Sequence, residues 1–381
     1  MVNFNSDALG IIFPNSYDST IPELTQKRSM ASIPFGSRYR LIDFMLSSMV
    51  NGGIDNVTVM VRENYLSLLD HLGSGREWDL ARKNGGLNTI PPFAYKSSTI
   101  YNGRIEGLNN ISNFLMRQKE KYVVISDANI AANIDFKKIL DTHIKSGADA
   151  TVVYNYQDAP SMMPESIKAD REMFYVLELE NSRIKKIRIN PDIKGGKHPV
   201  SMNIYVMERE KLLELVKEAY RNGNLYFERD ILAANLDNLN IMGYEYDDYV
   251  ARIFSMKSYF DESMKLLDEE NLDSLFGKQA IHTKVRDDNP TRYVSGSVAK
   301  NIMAADGCII EGTVENSILF RGVKIAKGAV VKNCILMQDT IVEAGATMDY
   351  VVTDKNVCVG QGQAISGTDS FPVYIAKGRT V

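Results

Sequence analysis

The chain has 381 residues, of which 44% are hydrophobic and 24% are charged, and its formal net charge is −4. This length predicts two domains, the composition excludes a disordered chain, and the weakly negative charge gives no indication of a nucleic-acid partner. No apolar run approaches the roughly 20 residues of a membrane helix, and the three cysteines follow neither a disulfide nor a zinc pattern, so we expect a cytoplasmic protein without a membrane partner.

The first two thirds of the chain alternate short apolar runs with amphipathic patterns. Buried strands are predicted at Ala8–Phe13, 57–61, 122–126 and 150–154, and helices at 40–50 and 136–143. Strands that alternate with helices predict an α/β, Rossmann-like domain with a parallel, doubly wound sheet. We assign this domain to residues 1–250.

The pattern changes near residue 290, where an aliphatic residue recurs every six positions with glycine nearby. Such short repeats contain the aliphatic residues Ile325, Val331, Ile341 and Val357. A six-residue period with small residues at the corners is typical of a parallel β-helix, in which each coil buries its aliphatic side chains against its neighbours. We assign a helical linker to 251–290 and the β-helix to 291–381, with an ordinary β-rich domain as the alternative.

Several segments resemble signature sequences of the ADP-glucose pyrophosphorylases, which are also called glucose-1-phosphate adenylyltransferases. They are Ile-Pro-Phe-Gly-Ser-Arg-Tyr-Arg-Leu-Ile-Asp-Phe at 33–44, its continuation at 46–54, Trp-Asp-Leu-Ala-Arg-Lys-Asn-Gly-Gly at 78–86, Ser-Met-Asn-Ile-Tyr at 201–205 and Ser-Tyr-Phe-Asp-Glu at 258–262. The resemblance covers essentially the whole chain. It implies a GT-A-like nucleotidyltransferase domain followed by a left-handed parallel β-helix of hexapeptide repeats.

The family joins ATP to glucose 1-phosphate and releases pyrophosphate. The resemblance implies a site that positions phosphates and neutralises their charge with backbone N–H groups, lysines, an arginine and Mg²⁺. The family's Gly-Gly-x-Gly-x-Arg-Leu phosphate loop aligns with a segment that has no glycine and contains Asn15, Ser16, Asp18 and Thr20. Because Asp18 puts a negative charge where phosphates would lie and Thr20 replaces the arginine, we do not expect tight ATP binding.

Two lysines of the family pattern are also replaced. Met30 stands at the second lysine of Lys-Arg-Ala-Lys-Pro, and Asn190 at the lysine of Phe-x-Glu-Lys-Pro. Neither side chain carries a cation to a phosphate. The family's Gly-Thr-Ala-Asp-Ala is Gly-Arg-Ile-Glu-Gly here at 103–107, its Arg-Asp-Val-Gly-Thr is Ala-Arg-Ile-Phe-Ser at 251–255, and its Ser-Met-Gly-Ile-Tyr has asparagine at 203 in place of glycine.

The family holds Mg²⁺ with two aspartates. Asp127 lies one position out of register with the first of them, and Asp230 matches the second. We expect Mg²⁺ only if residual activity exists, and we assign no catalytic residue and no other cofactor.

Other site-like residues match the family pattern. Tyr101 and Ser201 match positions that touch the sugar phosphate, with packing or strand polarity as the alternative. Lys27 and Arg28 match a basic pair linked to activator binding, which predicts an anionic metabolite as effector, with a solvated basic pair as the alternative.

The absence of the glycine-rich phosphate loop, the arginine and the lysines together should leave little adenylyltransferase activity, since one absent charge-stabilising donor typically costs ~10²–10³ in rate. The sequence resembles the divergent GlgD-type branch of the family more than the catalytic chains. That resemblance implies a non-catalytic or weakly catalytic regulatory subunit in glycogen biosynthesis, with a catalytic ADP-glucose pyrophosphorylase subunit as partner in a tetramer. The alternatives are a weakly active adenylyltransferase and a stand-alone sugar-nucleotide or effector sensor.

Overall fold

The computed structural model of the chain describes residues 7–92, 100–158, 174–191 and 195–381. They form an α/β part followed by a parallel β-helix, which confirms the predicted order of the two architectures. The strands of the first part are β1 (Ala8–Phe13), β2 (Pro34–Phe35), β3 (Tyr39–Arg40), β4 (Asn56–Met60), β5 (Gly86–Ile90), β6 (Tyr122–Asp127), β7 (Ile130–Ala131), β8 (Ala150–Asp158), β9 (Tyr175–Glu180), β10 (Arg183–Ile189), β11 (Lys197–Glu208), β12 (Ile241–Glu245) and β13 (Ala251–Arg252). The α-helices are α1 (Pro22–Thr25), α2 (Leu41–Asn51), α3 (Leu66–Leu72), α4 (Arg104–Asn110), α5 (Ser112–Leu115), α6 (Phe136–Ser146), α7 (Arg209–Arg221), α8 (Met256–Met264) and α9 (Glu269–Phe276).

The central sheet has the strand order β5-β4-β1-β6-β11-β8-β12-β10-β9. Strands β5, β4, β1 and β6 are parallel, as predicted, and every residue of β1 is buried because helices cover both faces of the sheet. The prediction of a wholly parallel sheet is wrong in the second half, where β11 is antiparallel to both β6 and β8. Strand β11 also pairs antiparallel with β9, the first strand of the β9–β10 hairpin, so it runs in the same direction as β10.

Local signals place the helix ends close to the predicted positions. Helix α2 ends before Gly52, and α6 begins after Asp135, whose side chain accepts a hydrogen bond from the backbone N–H of Lys138. Gly147 follows α6 with φ 61°, a left-handed conformation that glycine adopts without strain.

The β-helix consists of two parallel sheets whose strands stack coil upon coil. Lys324 pairs with Ile341, and Ile341 pairs with Cys358, so equal intervals along the chain bring corresponding residues into register. Val331, Leu336 and other aliphatic side chains fill the interior. Its strands are β14 (Arg292–Tyr293), β15 (Val298–Ala304), β16 (Ile309–Ile310), β17 (Thr313–Leu319), β18 (Lys324–Ile325), β19 (Val330–Lys332), β20 (Ile335–Leu336), β21 (Ile341–Val342), β22 (Thr347–Asp349), β23 (Val351–Thr353), β24 (Cys358–Val359), β25 (Ala364–Ser366) and β26 (Val373–Ile375).

An apolar cluster joins the two parts. Phe44 of α2 and Tyr259 of α8 belong to the same buried cluster as Ile335 and Val352 of the β-helix. Helices α8 and α9 lie in the segment that the sequence assigns to the linker. Within the described ranges, no helix combines the length and the apolar character needed to cross a membrane.

Candidate functional site

A cleft lies at the carboxyl edge of the parallel strands, where open α/β sheets commonly bind ligands. Strand β1 leads into its first wall, β6 ends in it at Asp127, and α4 begins in it at Arg104. The cavity volume is ≈ 100 Å³, whereas pockets for drug-sized ligands have roughly 300–1,000 Å³. The residues that line it are Phe13, Asn15, Ser16, Tyr17, Arg62, Tyr101, Asn102, Gly103, Arg104, Asp127, Tyr175, Asn203, Tyr226, Phe227 and Glu228.

In the segment that aligns with the family's phosphate loop, the carboxylate of Asp18 accepts hydrogen bonds from donors of the same chain. One oxygen of Asp18 accepts the backbone N–H of Met30 at 2.6 Å, and the other accepts the side-chain amide of Asn15 at 2.7 Å. Backbone N–H groups are the donors that such loops offer to phosphate oxygens. Here the segment instead contributes a carboxylate, and that carboxylate accepts hydrogen bonds from the Asn15 amide and from the backbone N–H of Met30, which lies outside the segment.

Three further residues that replace phosphate-binding residues of the family make contacts within the fold. The hydroxyl of Thr20 donates to the carbonyl of Tyr17 at 2.8 Å, and the side chain of Met30 is fully buried in the apolar cluster that joins the two parts. Asn190 has φ 43°, and its side-chain oxygen accepts the backbone N–H of Phe174 at 2.8 Å at the end of the β9–β10 hairpin.

An arginine that the sequence reasoning did not assign to the site occupies the centre of the cleft. The guanidinium of Arg104 donates to Asp127 at 2.6 Å and forms a second ion pair with Glu228. The three side chains are only 11%, 2% and 7% exposed. Burial alone would lower the pKa of Arg104, but the charge of Asp127 raises it above its ordinary value. The rings of Phe13 and Tyr205 lie 5.3 and 5.6 Å from the guanidinium carbon.

Both carboxylate oxygens of Asp127 also accept hydrogen bonds from other side chains. The hydroxyl of Ser16 donates to one carboxylate oxygen at 2.6 Å, and the amide of Asn203 donates to the other at 3.0 Å. The same amide donates to the phenol of Tyr17 at 2.6 Å. Asn203 has φ 55° at a shift of register in β11. Asparagine tolerates this left-handed backbone, so the position at which the family has glycine carries an amide into the cleft here.

The predicted pair of metal-binding aspartates is not the pair that meets in the cleft. Asp230 accepts the backbone N–H groups of Leu225 and Tyr226 at 3.1 and 2.9 Å and pairs with Arg229 at 2.6 Å. Burial would raise the pKa of Asp230, but these hydrogen bonds lower it below its ordinary value. Glu228, two residues earlier, lines the cleft instead.

The cleft does not fit a resident Mg²⁺. Mg²⁺ requires six oxygen ligands at 2.0–2.1 Å and usually keeps several waters. Both oxygens of Asp127 are engaged by protein donors, and Arg104 lies against the two carboxylates. Among the residues that the structure describes, no three histidine, cysteine, aspartate or glutamate side chains are grouped to hold a metal ion.

The two predicted sugar-phosphate residues are both buried. Tyr101 lines the cleft, and its phenol donates to the carbonyl of Met60 at 2.6 Å; burial raises the pKa of this phenol. Ser201 is inside the sheet, where its hydroxyl accepts the backbone N–H of Asn203 at 3.1 Å. Its carbonyl accepts a guanidinium N–H of Arg252 at 2.8 Å, and burial lowers the pKa of that arginine.

The two predicted effector residues differ in exposure. Lys27 is exposed, but Arg28 is buried, and one nitrogen of its guanidinium donates to both carboxylate oxygens of Asp354 in the β-helix at 2.6 and 2.8 Å. The ion pair removes Arg28 from the surface, because the β-helix packs over it. The next residue, Lys355, is partly buried, and its burial together with the charges of Arg40 and Arg28 lowers its pKa to about 7.

The structure thus brings Asn15, Ser16, Tyr101 and Asp127 into one cleft, whereas Lys27 and Arg28 lie at the junction of the two parts. Sequence reasoning missed Arg104, Asn203 and Glu228. The first two had a signal, because Arg104 stands at the threonine of the family's Gly-Thr-Ala and Asn203 at its glycine. Nothing in the sequence marks Glu228.

Two family models match the chain. A model described as nucleotidyl transferase matches residues 20–269, and one described as GlmU-like, C-terminal hexapeptide matches residues 284–370. The two matches coincide with the α/β part and the β-helix.

Full-length relatives fall into two named groups. The chain is 34% identical over 381 residues to the glycogen biosynthesis protein GlgD of Bacillus subtilis (strain 168), with 98% of this chain and 97% of that protein covered. It is 37% identical over 329 residues to GlgD of Geobacillus stearothermophilus, covering 86% and 83%. Its identity to the glucose-1-phosphate adenylyltransferase of Bacillus mycoides (strain KBAB4) is 27% over 368 residues, covering 95% and 96%.

Proposed function

The chain belongs to the ADP-glucose pyrophosphorylase (glucose-1-phosphate adenylyltransferase) family, in its GlgD-type branch, and we propose that it is a regulatory subunit with little or no catalytic activity of its own. It assembles with a catalytic glucose-1-phosphate adenylyltransferase and changes that partner's rate or its response to an effector. Such a role requires only that the two chains couple their conformational states, so the subunit needs its fold and its interfaces but not a working site.

One observation carries the proposal, namely that the cleft is filled by the chain's own groups. A cavity of ≈ 100 Å³ is well below the roughly 300 Å³ at which pockets for drug-sized ligands begin. Arg104 forms ion pairs with Asp127 and Glu228 inside the cleft, and the carboxylate of Asp18 accepts the backbone N–H of Met30. Opening the cleft to a nucleotide and a sugar phosphate would require breaking these buried interactions.

Pyrophosphorylase activity of the purified chain tests the proposal. It is measured for the chain alone, for the catalytic subunit of the same organism alone, and for an equimolar mixture, with albumin replacing the chain as control. We expect no turnover from the chain alone and a changed rate or activator response in the mixture. Robust turnover by the chain alone would show that it is an adenylyltransferase in its own right. An unchanged catalytic subunit in the mixture would argue against regulation.

An anionic metabolite is the effector that we propose, bound near Lys27 at the junction of the two parts. The lowered pKa of Lys355 supports this, because burial and like charges from Arg40 and Arg28 make an added anion favourable there. Since Arg28 is paired with Asp354, we expect Lys27 and Lys355 to contact the anion.

Variants of these two lysines test the effector site. Lys27→Ala and Lys355→Met should weaken the thermal stabilisation of the chain by inorganic phosphate and the activation of the mixture by phosphorylated metabolites. Lys138→Ala, at an exposed lysine of α6, is the matched control and should change neither. Unchanged stabilisation and activation in both lysine variants would place the effector elsewhere.

The tetramer that we propose for the assembly is tested by light scattering of the mixture.

A further inference from the structure

Two buried carboxylates share one cation in the cleft. Asp127 ends strand β6, Glu228 lies in the π-helical turn Phe227–Leu232, and Arg104 begins α4, so three separate elements converge on this point. Arg104 contacts both carboxylates, and the exposed fractions of the three side chains do not exceed 11%. Two carboxylates held together away from water repel each other unless a cation lies between them.

The guanidinium meets this requirement without any ligand. Its planar group offers five N–H donors in a fixed fork, so it can bind one carboxylate with each edge. The rings of Phe13 and Tyr205 flank it and favour a cation at this position. A divalent cation would need the oxygen atoms that Arg104 now occupies.

We infer that Arg104 is the resident cation of the cleft and that it masks a divalent-cation site formed by Asp127 and Glu228. Removing its charge should leave both carboxylates without a counter-ion and free for a metal the oxygen lone pairs that Arg104 now contacts. Ser16 and Asn203 keep their hydrogen bonds to Asp127, and Tyr175 keeps its hydrogen bond to Glu228. The inference depends only on the contacts in the cleft, so it holds whether or not the chain regulates a partner. It concerns Glu228, rather than Asp230, as the second ligand, because Asp230 is held by Arg229 and two backbone N–H groups.

The full-length chain is tested without nucleotide. Wild type, Arg104→Gln and the triple variant Arg104→Gln/Asp127→Asn/Glu228→Gln are stripped with chelator, and their melting temperatures are measured with and without Mn²⁺. Bound Mn²⁺ is counted by electron paramagnetic resonance. Arg229→Gln is the matched control, since this arginine follows Glu228 in the sequence and pairs with Asp230, but its side chain is 47% exposed.

In Arg104→Gln we expect a melting temperature lower by roughly 5 °C, because a buried pair has lost one partner. Saturating Mn²⁺ should raise it by roughly 5 °C and bind at one ion per chain. Wild type, the triple variant and Arg229→Gln should show no Mn²⁺ response in either measurement.

Three outcomes would overturn the inference. They are an Arg104→Gln variant that folds but binds no Mn²⁺, a wild type that binds Mn²⁺ as well as the variant, and a triple variant that responds like the single one. If Arg104→Gln is insoluble, the triple variant decides: recovered folding supports repulsion between the two carboxylates, and continued insolubility contradicts it. Turnover by wild type would refute the regulatory proposal without bearing on these readouts.

Discussion

Replacing Arg28 with methionine should separate a structural role of this residue from a role in effector binding. The wild-type guanidinium lies 2.6 and 2.8 Å from the two oxygens of Asp354, and both side chains are 5% exposed. Arg28→Met leaves this carboxylate buried without its counter-ion, although it keeps the backbone N–H of Lys355 at 2.7 Å and the phenol of Tyr374 at 3.2 Å.

Breaking a buried pair by removing one partner costs about 3–5 kcal/mol of unfolding free energy. Because two hydrogen bonds to Asp354 survive, we expect a loss of about 3 kcal/mol, or roughly 4 °C in melting temperature for a chain of 381 residues. The double variant Arg28→Met/Asp354→Leu removes both charges, and its stability should be within about 1 kcal/mol of wild type. Lys27→Met is the matched control, and an exposed lysine should cost less than about 0.5 kcal/mol.

Urea unfolding of wild type, of these three variants and of the single variant Asp354→Leu measures these differences, and the double-mutant cycle gives the coupling between the two side chains. If Arg28→Met costs no more than Lys27→Met, the ion pair does not form as described, and Arg28 is available to an effector. Equal losses in Arg28→Met and in the double variant would mean that the methionine fits poorly and that the charge is not the cause.

Three more changes have defined outcomes. The pKa of Lys355 falls from 10.5 to about 7 on folding, so the unfolded chain binds more protons between these two pH values. The free energy of unfolding should therefore rise with pH across this window. Urea titrations at several pH values should show this rise in wild type and not in Lys355→Met. Asn203→Gly should keep the left-handed backbone and lose about 1–3 kcal/mol of unfolding free energy with the hydrogen bonds of the amide. Asn203→Val should lose more, because a β-branched residue is strained at φ 55°. Equal urea midpoints of the two variants would refute this order. Tyr101→Phe should lose about 1–3 kcal/mol by leaving the carbonyl of Met60 unpaired, without changing activation of the catalytic partner; a change in activation at unchanged stability would give Tyr101 a role in regulation.

Much of the fold could be predicted because it depends on local signals. The buried run Ala8–Phe13 and the helix that ends before Gly52 are visible in the sequence, and the aliphatic period after residue 290 predicts stacked coils. The direction of β11 was not predictable in this way. It depends on how the chain returns from the β9–β10 hairpin, and the strand's own residues are equally suited to either direction.

The sequence by itself determined the family and the absence of the phosphate-binding lysines, arginine and glycines, because side-chain identity at an aligned position decides whether a cation is present and whether a phosphate can approach the backbone closely. It did not determine what occupies the site instead. Arg104, Asp127 and Glu228 are far apart in the chain and meet only where α4, β6 and a π-helical turn converge. Likewise, only the packing of the β-helix decided that Arg28 is buried against Asp354, since a charge becomes inaccessible when another part of the fold covers it.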